Sequence, residues 1–251
     1  MDDQGEVTRF LSDAASYGKA GEIVERIETH ISIVFLVGDR AYKLKRSVCL
    51  SYLDYSTSAL RERFCRAELA LNRRTAAALY LRVRAVTRSA EGHLAFDGNG
   101  LILDWVLEMR RFSQNDLFDH LAESRKLTPE LMRDLTDAIS SFHASAEITP
   151  GHGGRAGIEA IIASNNLNLV QACPPFDAAQ VQQLYATSMA NLSAIGALRD
   201  ARRDGGNVRR CHGIFTWVIS AFSKTAQPRL TASSSANRSL ASMFSTIWLF
   251  S

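Results

Sequence analysis

Lys43 and Glu68 are the two residues whose setting could do chemistry together. Lys43 stands in the apolar run Ala41-Tyr42-Lys43-Leu44, which predicts a strand, and Glu68 stands in a later segment whose apolar residues recur at helical spacing. A helix carboxylate can fix a strand ammonium where phosphate oxygens will lie, which is how kinase-like sites hold the α- and β-phosphates of ATP. Two ordinary surface charges would look the same in the sequence. Lys45 lies two residues on and shares the strand face of Lys43, so it is the alternative candidate. Thr29-His30-Ile31-Ser32 falls between two predicted strands and could cover phosphates with backbone N–H groups, or be a plain turn. Neither G-x-x-x-x-G-K-[ST] nor G-x-G-x-x-G occurs, which argues against a P-loop or a Rossmann site.

Strands and a helix must position these side chains. Ile23 to Glu28, Ile33 to Val37 and Ala41 to Lys45 read as strands, the last two joined by the turn Gly38-Asp39-Arg40 as an antiparallel hairpin. From Ser58 to Leu79, the residues Leu60, Phe64, Ala67, Leu71 and Ala78 predict an amphipathic helix. Leu81 to Thr87 and Leu101 to Met109 follow as strands, joined around Asp97-Gly98-Asn99-Gly100. Helices then take over. Thr128 caps a helix that has Pro129 in its first turn and runs to about Ala144. Asp177 to Arg203 repeats the helical pattern. Strands with one helix, then a helical block, predict a two-lobed α+β protein.

At 251 residues, 46% hydrophobic and 22% charged, the chain can bury a sizeable core in one large domain or two lobes. Its formal charge of +3 is mild and its arginines are interspersed, so no nucleic-acid partner is expected. Cys49, Cys65, Cys173 and Cys211 form no C-x-x-C pair, so they are expected to be buried small hydrophobes in a reducing compartment rather than a zinc site or a disulfide framework. The acidic start and the lack of a long apolar run lead to the expectation of a cytoplasmic protein without a membrane partner.

The combined runs Thr29 to Ser32, Ala41-Tyr42-Lys43-Leu44-Lys45-Arg46, Phe64-Cys65-Arg66-Ala67-Glu68 through Arg74, Met109-Arg110-Arg111-Phe112, Phe142-His143-Ala144 and Arg209-Arg210-Cys211-His212-Gly213 resemble the bacterial aminoglycoside-phosphotransferase-like family, in the branch sometimes fused to an ATP-binding kinase domain. The resemblance spans roughly Phe10 to Gly213. It implies a protein-kinase-like two-lobed fold, with a β-rich nucleotide lobe and hinge at 1–112 and a partial helical lobe at 113–213. It also implies ATP as phosphoryl donor with magnesium, and a small-molecule acceptor that the sequence does not identify. Lys43 would be the phosphate lysine with Glu68 its partner, Ser32 would belong to the loop over the phosphates, and Val106 to Met109, with Glu108, would form the last strand and hinge beside adenine. His143 would close a structural helix, and His212 would support a catalytic loop.

That loop breaks off. In the resembling family it reads H-G-D-L-H-x-x-N, the Asp orienting or deprotonating the acceptor and the Asn holding magnesium. Here His212-Gly213 is followed by Ile214-Phe215-Thr216-Trp217-Val218-Ile219. All 26 acidic residues and all 15 glycines lie at or before Gly213, and an acid-free run as long as 214–251 arises by chance roughly once in a hundred at ordinary composition. One G restored after the Gly213 codon lets the next six residues be reread as Asp-Leu-His-Leu-Gly-Asn. The expectation is therefore a frameshift after Gly213, with 214–251 an aberrant tail and the helical lobe incomplete. No catalytic residue and no metal ligand is assigned, since Thr216 and Ser220 are poor magnesium ligands beside carboxylates. The chain is expected to be an impaired member of a phosphotransferase lineage, with a nucleotide-binding pseudokinase or a non-functional fragment as the alternatives.

Overall fold

The structure is a computed structural model that describes residues 4–50, 53–113, 115, 117–172, 177–211, 220–223 and 239–242. The chain divides into two compact units, Met1–Ala138 with His212–Ser251, and Ile139–Cys211.

The first unit is built on a six-stranded antiparallel sheet. Its strands are β1 (Glu25–Glu28), β2 (Ser32–Val37), β3 (Arg40–Lys45), β6 (Tyr80–Arg88), β7 (Leu94–Phe96) and β8 (Leu101–Arg110), in the spatial order β1-β2-β3-β8-β6-β7. A two-stranded ladder, β4 (Cys49–Leu50) with β5 (Leu53–Asp54), leads into helix α2 (Ser58–Ala76). Two strands of the later chain, β9 (Ser220–Ser223) and β10 (Ser239–Ser242), pair with each other.

Each sheet face has its own core. β2 and all but the first residue of β3 are buried, so they read as near-continuous apolar runs. Ile33, Phe35, Tyr42, Leu44, Val86 and Val106 pack with Val7 and Leu11 of α1 (Gly5–Ser12). On the other face Val34, Leu36, Ala41, Leu107 and Met109 pack with Ala76 at the end of α2 and with Leu79 and Tyr80. Burying a side chain of this size stabilises by about 1.5–3 kcal/mol. The turn between β2 and β3 needs a positive φ, and Gly38 supplies it at 53°; glycine carries no Cβ penalty there.

The α2 helix starts where the sequence places it, with the Thr57 hydroxyl accepting from the Leu60 N–H. Its buried stripe is not the predicted one. Arg61, Cys65, Glu68, Asn72 and Ala76 face inward, whereas Leu60, Phe64, Ala67 and Leu71 are half-buried. Strand β7 was also not anticipated. It pairs with β6 on the side away from β8, so the turn at Asp97–Gly100 carries the chain from β7 across to β8.

Helix α3 (Phe118–Glu123) precedes α4 (Pro129–Ser145), whose Leu131 N–H donates to the Thr128 hydroxyl as the sequence predicts. In the second unit α5 (Gly154–Gln171) packs along α6 (Ala178–Asp204), and the Asp200 carboxylate accepts from the Arg155 N–H at 2.9 Å. Arg209 donates to the carbonyls of Ala144 and Ala146. Much apolar surface stays open on the pair, with Leu184 55% and Leu198 60% exposed.

The three described cysteines are free. Cys65 is buried, but Cys49 is exposed and Cys211 half-buried, which corrects the expectation of uniformly buried thiols; Cys173 lies outside the described residues. Among the described residues no helix is long and apolar enough to cross a membrane.

Candidate functional site

Alternation along β3 puts Ala41, Lys43 and Lys45 on the face covered by α2. Glu68 sits one turn beyond Cys65 on the inward stripe of that helix, so its carboxylate meets both lysines. Lys43 Nζ donates to Glu68 Oε1 at 2.8 Å, and Lys45 Nζ donates to Glu68 Oε2 at 2.6 Å. The two rival lysines thus share one carboxylate. All three side chains are buried, Glu68 at 1% exposed, Lys43 at 7% and Lys45 at 3%.

Tyr55, which follows β5, closes the Lys45 side of the cluster. Lys45 Nζ lies 3.4 Å from the Tyr55 hydroxyl and 4.9 Å from its ring centroid, a cation–π arrangement. The strand end beyond Lys45 is pinned by Gln4, whose amide donates to the Lys45 carbonyl and to Asp104, and accepts from the Ser47 N–H. Asp104 is paired in turn with Arg61 at 2.7 Å. Two buried ion networks therefore set where α2 lies against the sheet.

Burial opposes the ionised form of Glu68, but the two ammonium groups outweigh it and bring its pKa down to about 2. The Lys45 pKa is raised: burial acts to lower it, and the Glu68 carboxylate overcomes that. Burial pushes the Cys65 thiol up to about 12, so this neighbour is no nucleophile at neutral pH. A depressed carboxylate pKa means that the unfolded chain takes up the proton first. The stabilisation from Glu68 is thus complete above the ordinary glutamate pKa, about 4.3, and disappears as pH falls towards 2. Thermal melts between pH 6 and pH 2 are expected to fall more steeply for the wild type than for Glu68→Gln. Parallel curves would contradict the pairing.

Ser32 stands opposite Lys45 across the β2–β3 ladder and so shares its face. It is 3% exposed, and its Oγ has no hydrogen-bond partner among the described residues. The N–H groups of Thr29 and Ser32 are both used inside the turn, donating to the Ser32 carbonyl and the Thr29 hydroxyl. Ser32 therefore brings a hydroxyl to this face, its own N–H being already used in the turn.

Glu108 is not brought to this cluster. It pairs in register with Tyr42, on the face covered by α1, and its carboxylate lies 2.7 Å from Arg82, with Arg40 at 3.6 Å and Arg84 at 3.9 Å. Alternation sends the Glu108 carboxylate to one face and Leu107 and Met109 to the other. Met109 does lie on the lysine face, opposite Ala41. His143 is exposed in the last turn of α4, beside Phe142. His212, Gly213 and the loop after them lie outside the described residues. Among the described residues no three His, Cys, Asp or Glu side chains come together as a metal site, so no magnesium role is built on them.

Tyr55, Gln4 and the Arg61–Asp104 pair had no signal in the sequence, because each is defined by a partner 40 or more residues away or by a short unpredicted strand. Lys45 was visible only as a rival to Lys43.

No protein-family model matches the chain, and no solved structure matches it. It is similar to an uncharacterized protein of Mycobacterium tuberculosis and to one of Mycobacterium bovis, each 29% identical over 120 residues. The matched stretch covers 48% of this chain and 22% of the length of each relative. The likeness brings no activity with it.

Proposed function

We propose that the first unit is the nucleotide-binding lobe of a kinase-like small-molecule phosphotransferase, resembling the aminoglycoside-phosphotransferase-like proteins. Lys43 would engage the α- and β-phosphates of ATP, and Glu68 would hold its ammonium in place. The observation that carries this reading is the buried 2.8 Å pair between a lysine of β3 and a glutamate of α2. The strand order supports it, since β1, β2 and β3 sit beside β8 and β6, with the helix glutamate inserted between β3 and β6 in the chain, as kinase-like nucleotide lobes require. The Ser32 Oγ, without a partner among the described residues, fits a phosphate group on that face. ATP, when bound, supplies the transferable phosphoryl group; the residues described here bind and orient it.

Turnover by this chain is not proposed. Phosphoryl transfer is mainly positioning and charge neutralisation, and the residues after Gly213 include no carboxylate to orient an acceptor. A second reading, a non-functional fragment, is favoured by the exposed Leu167, Leu184 and Leu198, since open apolar surface promotes association.

Thermal stabilisation tests the first reading. ATP at 100 times its dissociation constant adds about 2.7 kcal/mol, or about 5–10 °C for a chain of this size. The shift is expected in the wild type and not in Lys43→Ala. A wild type whose midpoint does not move with ATP would contradict nucleotide binding.

A further inference from the structure

The cluster holds two ammonium groups and one carboxylate, so it carries a net charge of +1 in a buried place. Isolated charge is expensive to bury, and the arrangement says where the missing negative charge belongs. Lys45 spends two donors, on Glu68 Oε2 and the Tyr55 hydroxyl, with the Tyr55 ring close by. Lys43 spends one, on Glu68 Oε1. An ammonium has three N–H groups, so two on Lys43 have no acceptor among the described residues.

We infer that the two lysines divide the work: Lys43 is the donor to an incoming polyphosphate, and Lys45, with Tyr55, is a positioning residue that stays on Glu68 as its counter-ion.

The division follows from charge balance. When the anion takes Lys43, Glu68 would be left buried and uncompensated if Lys43 were its only cation. Lys45 prevents that, and the spare positive charge of the cluster is matched only with an anionic group present. Without Lys45 the carboxylate would hold Lys43 back, so loss of a residue that never meets the ligand would weaken ligand binding. The inference takes from the proposed function only the identity of the anion.

Calorimetric titration of the full chain with ATP, with inorganic tripolyphosphate and with adenosine tests this. Lys43→Met and Lys45→Met are each expected to weaken ATP and tripolyphosphate binding at least tenfold and to leave adenosine within threefold. The arm that separates positioning from contact is Glu68→Gln added to Lys45→Met. It frees Lys43 and is expected to recover at least threefold of the lost affinity, whereas the same change added to Lys43→Met recovers nothing. Lys45→Arg, which keeps a cation on Glu68, should bind ATP within threefold of the wild type. Lys45→Gln supplies the same comparison should the methionine variant melt below the assay temperature. Unchanged polyphosphate binding in Lys45→Met, or a double variant weaker than the single, would overturn the division of labour. Binding of tripolyphosphate but not ATP would sink the nucleotide reading alone and leave the brace standing. Binding of neither by the wild type would overturn both.

Discussion

Arg61→Met is expected to destabilise the first unit by about 3–5 kcal/mol, the penalty for removing one partner of a buried ion pair. Arg61 and Asp104 are both buried, and the guanidinium donates to the Asp104 carboxylate at 2.7 Å and to the Tyr55 carbonyl at 2.8 Å. Methionine fills much of the same volume, yet it leaves the carboxylate with the Gln4 amide and the Trp105 N–H alone among the contacts described. The Tyr55 carbonyl loses its guanidinium partner as well. The midpoint of thermal unfolding should fall by about 6–20 °C. Arg66→Ala is the matching control. Its pair with Glu62 lies on the exposed side of the same helix, where such pairs contribute about 0–1 kcal/mol. Arg61→Met combined with Asp104→Leu should recover part of the loss, because the buried charge is then gone. Equal melting shifts for Arg61→Met and Arg66→Ala would show that the buried network does not hold α2 to the sheet.

The second large effect concerns catalysis. One G inserted after the Gly213 codon is expected to give a loop reading Asp-Leu-His-Leu-Gly-Asn and to raise γ-phosphate release or transfer at least about 1000-fold over the 251-residue chain. A positioned acid or base contributes about 100- to 10,000-fold, and the restored loop would supply the metal-binding Asn as well. Rates in the ordinary kinase range, about 1–100 per second, should then depend on Lys43. Turnover by the unrestored chain at such rates would contradict the account. So would an undisturbed reading frame across codon 213 together with relatives that share the same tail.

How much of this was legible in the sequence differs from element to element. Strands β2 and β3 were readable because both are apolar runs closed by a glycine turn, and Lys43 was conspicuous as a charge inside one of them. Helix α2 was readable as a helix but not in its facing. A stripe of Arg61, Cys65, Glu68 and Asn72 looks like a solvent face, and only the partners Asp104, Lys43 and Lys45 make it an interior one. Hydrophobic periodicity therefore pointed to Leu60, Phe64 and Leu71, which are half-buried. Short β4, β5 and β7 carry too few residues for a period to be seen. The pairing of both lysines with Glu68 was beyond reach for a related reason: the strand pattern puts them on one face, but the length and tilt of α2 decide whether one carboxylate meets both. A hinge assignment over Val106 to Met109 names a stretch of backbone, whereas alternation decides where each side chain goes, so the Glu108 carboxylate meets Arg82 and not the lysines.

In the proposed function the Lys43–Glu68 pair receives the phosphates of a nucleotide. Calorimetric titration of the purified 251-residue chain with ATP measures it most directly. Saturable binding near one ATP per chain is expected, weakened at least tenfold by Lys43→Ala and unchanged by Arg66→Ala. A titration without binding heat at several temperatures, or one in which Lys43→Ala binds as the wild type does, would contradict it.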